Sequence, residues 1–187
     1  MKPTQTFLSS AIAQFRYYQQ LGEQTLAQIP EDQFSFKINE KSNNINVLIQ
    51  HLSGNMLSRW TDFLNSDGEK AERKRDQEFE DTIQTKEQRT QIWDKGWNRL
   101  FSTLAELKEQ DLEKIVFIRN QGHTVTECIN RQLCHYSYHI GQLVLLGKII
   151  CGNQWKPLSI PKGLSEKFNA KHFSKKKERK HFLDDRG

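Results

Sequence analysis

From Thr124 to Gly152 the chain reads TVTECINRQLCHYSYHIGQLVLLGKIICG, and no other stretch limits the fold so strongly. Val125, Ile129, Leu133, Tyr136, Ile140, Leu143 and Val144 recur at a period near 3.6 residues and mark one apolar face of a helix. Thr124 with Glu127 three positions on forms a capping box at its start, and Gly152 provides a stop. At 1.5 Å per residue the rod is about 40 Å long, so it needs other long elements to cover its apolar face.

Three further stretches share that period. Phe7, Ala11, Phe15, Tyr18 and Gly22 predict a first helix over 4–28, closed before Pro30. Ile45, Leu48, Ile49, Leu52, Met56, Trp60 and Phe63 predict a second, capped by Ser42 or Asn43 and ending near Asn65, with DGEK as the turn that follows. Trp93, Trp97, Leu100, Phe101 and Leu104 predict a third over 86–108. Between the third and fourth, KIVFIR is β-branched and aromatic, the composition of a short strand or hairpin edge. The run EKAERKRDQEFEDT, within 69–90, reads as an exposed loop or a short solvated helix. WKPLSIPKGLSEKFN reads as a connection and a short terminal helix. The expected fold class is all-α: a four-helix bundle forming one domain over 1–170, with a basic tail at 171–187.

The net charge of +5 on 187 residues suggests a nucleic-acid binder until it is located. The tail carries seven Lys or Arg against three acids, so four of the five charges lie there and the body is nearly neutral. A run such as KKKERK is ordinarily a solvated tail, and no nucleic-acid partner is expected. No apolar run approaches the ~20 residues needed to cross a bilayer, and MKPTQTFLSS lacks the regions of a signal peptide. A cytoplasmic protein without a membrane partner is therefore expected. Cys128, Cys134 and Cys151 form no C-x-x-C pair, which argues against a disulfide framework or a thiolate zinc site and for reduced thiols in or near the core.

Two imidazoles, His135 and His139, stand four positions apart on the fourth helix. His139, Gln142, Cys128 and Arg131 all project within about 40° of His135, at the edge of the apolar face. On the second helix Asn55, Ser58 and Asp62 stand equally close to His51, which also flanks a core stripe. Packing the two helices through their apolar faces can bring these polar flanks together, which makes His51 the natural third partner. Three imidazoles suit Zn²⁺, Ni²⁺ or another first-row divalent ion and leave a position open for water or substrate, the pattern of a reactive centre. The plainer alternative is three half-buried histidines, each bonded to nearby backbone. Asn55 and Gln142 lie within a turn of a histidine and are the nearest candidates to orient ligands or substrate. Asp62 lies about 16 Å along the helix from His51, too far to share its ion. His123, His172 and His181 fall in a loop and in the tail, outside the site.

One histidine in the second helix and H-x-x-x-H in the fourth resemble the DinB-like superfamily of four-helix bundles, which includes bacillithiol transferase-like proteins and metal-dependent isomerases that use a thiol cofactor. The resemblance spans about 5–150 and is carried by HLSGNMLSRWTDFLNSDGEK, HTVTECINRQLCHYSYHIGQ and LSIPKG, segments most like an uncharacterised bacterial branch. It implies a metal triad at His51, His135 and His139, occupied by zinc or nickel, or by manganese or iron. It also implies a homodimer and a small-molecule substrate but leaves the reaction open; the leading expectation is a metal-dependent enzyme, a thiol transferase or a hydrolase, that transfers a low-molecular-weight thiol to an electrophile. The alternative function is a noncatalytic stress-response or interaction module with a vestigial or structural metal.

Overall fold

Thr6, Asn44, Thr85 and Thr124 each accept a hydrogen bond from the backbone amide three residues on, and these four caps start the four long helices. The computed structural model describes residues 6–183. Helices α1 (Phe7–Leu26), α2 (Ile45–Trp60) and α3 (Lys86–Glu106) precede strands β1 (Ile115–Ile118) and β2 (Gln121–Thr124), and α4 (Val125–Cys151) and α5 (Ser165–Phe173) follow. Helix α1 packs on α4 and α2 on α3, while α2 also meets α4 and α1 meets α3. The result is the expected all-α bundle with a short hairpin between α3 and α4. The residues expected to open α1 at position 4 lie outside the described residues.

Asn44, not Ser42 or Asn43, caps α2. It is wholly buried, and while its oxygen takes the Val47 amide its nitrogen donates to Asp81 at 2.7 Å. Helix α2 stops at Trp60 rather than near Asn65, and Asp62 then turns the chain at φ 47°.

Aromatic residues fill the bundle centre. The Phe15 ring lies 6.3 Å from Trp60 and 5.7 Å from Tyr136, and Trp97 lies 6.0 Å from Tyr136. Between α2 and α4, the Trp60 indole N–H donates to the Tyr136 oxygen at 2.9 Å, and the Tyr136 hydroxyl donates to Asn55 Oδ1 at 3.1 Å. All three side chains are buried, so this chain of bonds aligns the two helices. On the other side of α2, a Cβ built on Gly96 would lie 2.8 Å from the Ser53 Cα, so only glycine permits the approach of α3.

The hairpin pairs Ile115 with Thr124 and Ile118 with Gln121. Its turn residues Arg119 and Asn120 have φ of 54° and 60°, the backbone that a two-residue type I′ turn demands, although arginine seldom adopts it. Asp67 stabilises that turn: its carboxylate accepts from the amides of Arg119 at 2.9 Å, Asn120 at 2.8 Å and Glu69 at 2.7 Å. Desolvation pushes the Asp67 pKa up, but these amides outweigh it and hold the carboxyl below its usual range. The Gly68 amide also donates to Phe117 O at 2.8 Å.

The segment at 69–90 is largely exposed, as expected, with a 3₁₀ turn at Arg75–Phe79, but particular side chains anchor it to α2. Gln50 on α2 donates to Glu80 O and accepts from the Thr82 amide, Ile83 is buried, and the Arg73 side chain is only 5% exposed. The charged run is packed against α2 because its charges pair with one another. The described part of the tail is mostly exposed, as expected, with one anchored residue. Helix α5 crosses residue 170 to reach Phe173, and His181 is buried with its ring 3.0 Å from Ser10 Oγ on α1; residues 184–187 lie outside the described residues. Cys128 is buried, Cys151 half-buried and Cys134 exposed, so the last is not a core thiol; all three are free. No helix among the described residues is long and apolar enough to cross a membrane.

Tyr136→Phe removes one oxygen but strands two buried polar groups, Trp60 Nε1 and Asn55 Oδ1. Urea denaturation should show a loss of about 1–3 kcal/mol; an unchanged midpoint and slope would mean that water or relaxation replaces the bond.

Candidate metal centre

His51 stands in the second turn of α2, and His135 and His139 occupy consecutive turns of α4. Because the Trp60–Tyr136–Asn55 bonds tie the helices one turn away from these rings, the three imidazoles converge. The ring centroids of His51 and His135 are 5.4 Å apart, those of His51 and His139 4.8 Å, and those of His135 and His139 4.7 Å. One ring nitrogen from each lies within 4.8 Å of the others, and the cluster is buried to half-buried. His51 Nε2 and His135 Nε2 are 3.4 Å apart. Nitrogens bound tetrahedrally at ~2.0–2.1 Å from a zinc ion stand about 3.4 Å from one another, so the pair already has the required spacing. Among the described residues this is the one group of three or more His, Cys, Asp or Glu side chains close enough to share an ion.

The outer ring nitrogens set the tautomers. Glu78 Oε2 lies 3.0 Å from His51 Nδ1, and a carboxylate only accepts, so Nδ1 carries a proton and Nε2 is the nitrogen turned toward the cluster. Gln142 Oε1 lies 3.1 Å from His139 Nδ1 and does the same for that ring. His135 Nδ1 is buried and has no hydrogen-bond partner among the described residues. Burial, followed by the neighbouring His139 and His51, pushes the His135 pKa down to about 3. Burial and then His51 push that of His139 down to about 4. Both rings are therefore neutral at pH 7, the form that donates to a metal.

Behind the histidines the charged segment forms an ion network. Arg73 grips Glu78 with two bonds of 2.7 Å and reaches Glu69 at 3.2 Å; Arg59 on α2 holds the same Glu69 at 3.0 Å and also donates to Gly68 O. Desolvation pushes the Glu78 pKa up, but the His51 and Arg73 bonds overcome it and keep the carboxyl below its usual range. Burial likewise pushes Arg73 down, and its bonds to Glu78 and Glu69 more than reverse this. Phe79, from a 3₁₀ turn at Arg75–Phe79, lays its ring 4.8 Å from that of His51. In front of the histidines is a cavity of about 500 Å³.

The structure thus brings His51, His135 and His139 together, as the spacing predicts. Gln142 orients His139. Asn55 lines the cavity but spends its oxygen on Tyr136, a role in holding helices. Ser58 bonds Gly68 O and the Lys70 amide, pinning the charged segment, and Arg131 lines the cavity. His123 sits on β2, His172 on α5 and His181 against α1, away from the cluster. Sequence reasoning misses Glu78, Arg73, Glu69 and Arg59. The available signal was Phe79 and Ile83, isolated apolar residues that mark the charged run as packed rather than solvated.

Fold and site together define a helical bundle with a buried three-histidine cluster able to hold a metal ion. Residues 2–164 match the family described as Protein of unknown function (DUF1572), and the chain belongs to that family. No curated protein and no solved structure matches the chain.

A linkage effect follows from the two depressed histidines. Their folded pKa values lie below the ordinary ~6.5, so the unfolded chain binds more protons below that pH. The stability they contribute is complete above about pH 6.5 and is lost as the pH falls toward 4 and then 3. Urea midpoints of the metal-free protein should fall across this window, with a shallower fall in a His135→Ala, His139→Ala double variant. Equal slopes in the two proteins would assign the acid sensitivity to other groups.

Proposed function

We propose that the protein is a divalent-metal-dependent enzyme of the DinB-like superfamily that transfers a low-molecular-weight thiol to an electrophile. The observation that carries this reading is the convergence of three buried to half-buried imidazoles from two helices on one point beside an open cavity. An all-nitrogen set of three suits zinc or nickel, and also manganese or iron, and it leaves coordination positions for a reactant. A divalent ion held there supplies the positive charge that keeps a thiol deprotonated at neutral pH.

The chain's own residues do the rest. Glu78 and Gln142 hold the outer protons of His51 and His139, so each presents its Nε2 lone pair without searching for a tautomer. Arg73 fixes Glu78 with two parallel bonds, which prevents the carboxylate from swinging toward the centre. Tyr136 and Trp60 keep α2 and α4 aligned through their buried hydrogen bond.

The test is elemental analysis of protein made without a polyhistidine tag, joined to an assay for thiol-dependent loss of an electrophile. About one metal per chain and turnover are expected, both lost in His135→Ala. Glu78→Gln should retain the fold and weaken metal affinity by about 10–100-fold. Stoichiometric metal without turnover of any thiol would leave a noncatalytic module. Metal content indifferent to His135→Ala would remove the site.

A further inference from the structure

The cavity in front of the histidines is lined by five arginines and by no aspartate or glutamate among the described residues. We infer that its ligand is a small organic molecule bearing an oxyanion, a carboxylate or a phosphate, held by guanidinium groups at the cavity mouth while the reacting end faces the histidines. The inference names the substrate class of the proposed site and rests on that reading only for which end of the ligand reacts.

The asymmetry is local. The segment that contributes Arg73 and Arg75 also carries Glu69, Glu72, Asp76, Glu78, Glu80 and Asp81, so a random placement would have put carboxylates on the same wall. Instead Glu78 points at His51 and Arg73, and Glu69 at Arg59 and Arg73, behind the cavity surface. Those two acids pair with the buried Arg59 and Arg73, and Glu69 also meets Arg119. The remaining guanidiniums come from three different elements. Arg75 lies over the Phe79 ring at 5.0 Å, with the exposed Asp76 3.8 Å away. Arg119 stands on the hairpin turn that Asp67 fixes, 3.3 Å from Glu69. Arg131 lies one turn before His135 on α4, and among the described residues no carboxylate stands within ion-pair distance of it.

Three guanidiniums lining one cavity suit an oxyanion, which their planar, multidentate donors match. Gln132 adds a second requirement: it is only 3% exposed, it lines the cavity, and its carbonyl oxygen has no partner. A ligand with a hydroxyl, amino or amide N–H group would satisfy it. The cavity volume of about 500 Å³ suits a small molecule rather than a polymer.

Two sets of calorimetric titrations at pH 7.5 test this. On zinc-loaded protein, three thiols of similar size vary only in charge: 3-mercaptopropionate, 2-mercaptoethanol and 2-aminoethanethiol. Affinity should fall in that order, and Arg131→Gln should weaken only 3-mercaptopropionate, by about tenfold, with Arg131→Lys in between. On metal-free protein, succinate and glycerol 3-phosphate are titrated at low and high salt, and the tighter binder identifies the oxyanion. At least one should bind, with affinity lost at high salt and in Arg75→Gln and Arg131→Gln. Equal affinity for the three thiols, or an Arg131→Gln variant that binds every probe as the native protein does, overturns the inference. Failure of the protein to take up zinc defeats the metal reading but leaves the metal-free titrations to decide the oxyanion. Circular dichroism confirms that the variants, changed at solvent-facing positions, are folded.

Discussion

Two helices meet at this site only in one register, and a buried chain of hydrogen bonds selects it. Trp60, Tyr136 and Asn55 place an indole N–H, a phenol and an amide oxygen inside an otherwise aromatic core. Sliding α4 by one turn along α2 would move Tyr136 about 5.4 Å and leave all three groups without partners in a medium where each unmet bond costs about 1–3 kcal/mol. Apolar packing alone tolerates several registers of similar energy. The polar chain does not, and because His51 and His135 each sit beside a member of it, the register that satisfies the core also brings the imidazoles together.

The second constraint is electrostatic. Glu78, Glu69, Arg73 and Arg59 are charged groups with little solvent, and separate burial of any one would be costly. They are tolerable only as a set, because each carboxylate meets a guanidinium; the bonds outweigh desolvation at Glu69, Glu78 and Arg73, while at Arg59 burial still prevails. The set in turn requires the segment after α2 to be held in place. Asp67 does so at the hairpin turn, Ser58 at Gly68 and Lys70, and Asn44 at Asp81. The hairpin, too short to contribute much core, thereby becomes the clip that closes the site.

The four helices and the histidine cluster were legible in the sequence because both depend on periodicity, and the hairpin because KIVFIR has the composition of a strand. Seven apolar residues at helical spacing place a face, and a histidine at its edge inherits that position. The charged segment lacks any period, and residue type there reports average solvation rather than a partner. Arg73 and Glu78 are five residues apart in a run that would look the same if dissolved in water. His181 illustrates the same limit, since the basic residues before it say nothing of the Ser10 hydroxyl that receives it. The cap at Asn44 was missed by one or two positions because serine and asparagine cap equally well, and the choice is made by Asp81, distant in sequence.

The separation of charges within the site has a chemical consequence. A centre built from imidazoles adds no negative charge, so a divalent ion there would keep its full +2, and the cavity walls add guanidiniums rather than cancelling it. Such a pocket favours reactants that arrive as anions or become anions on the way to product, since either form gains attraction from ion and wall together. Cationic reactants would be repelled by both. Placing Glu69 and Glu78 behind the wall preserves this field: they fix the arginines and the His51 tautomer without presenting a carboxylate that could compete with the ligand or occupy an open coordination position. The same two acids thus let a positively charged pocket be rigid, because they act as counterions to Arg59 and Arg73 without lining that pocket.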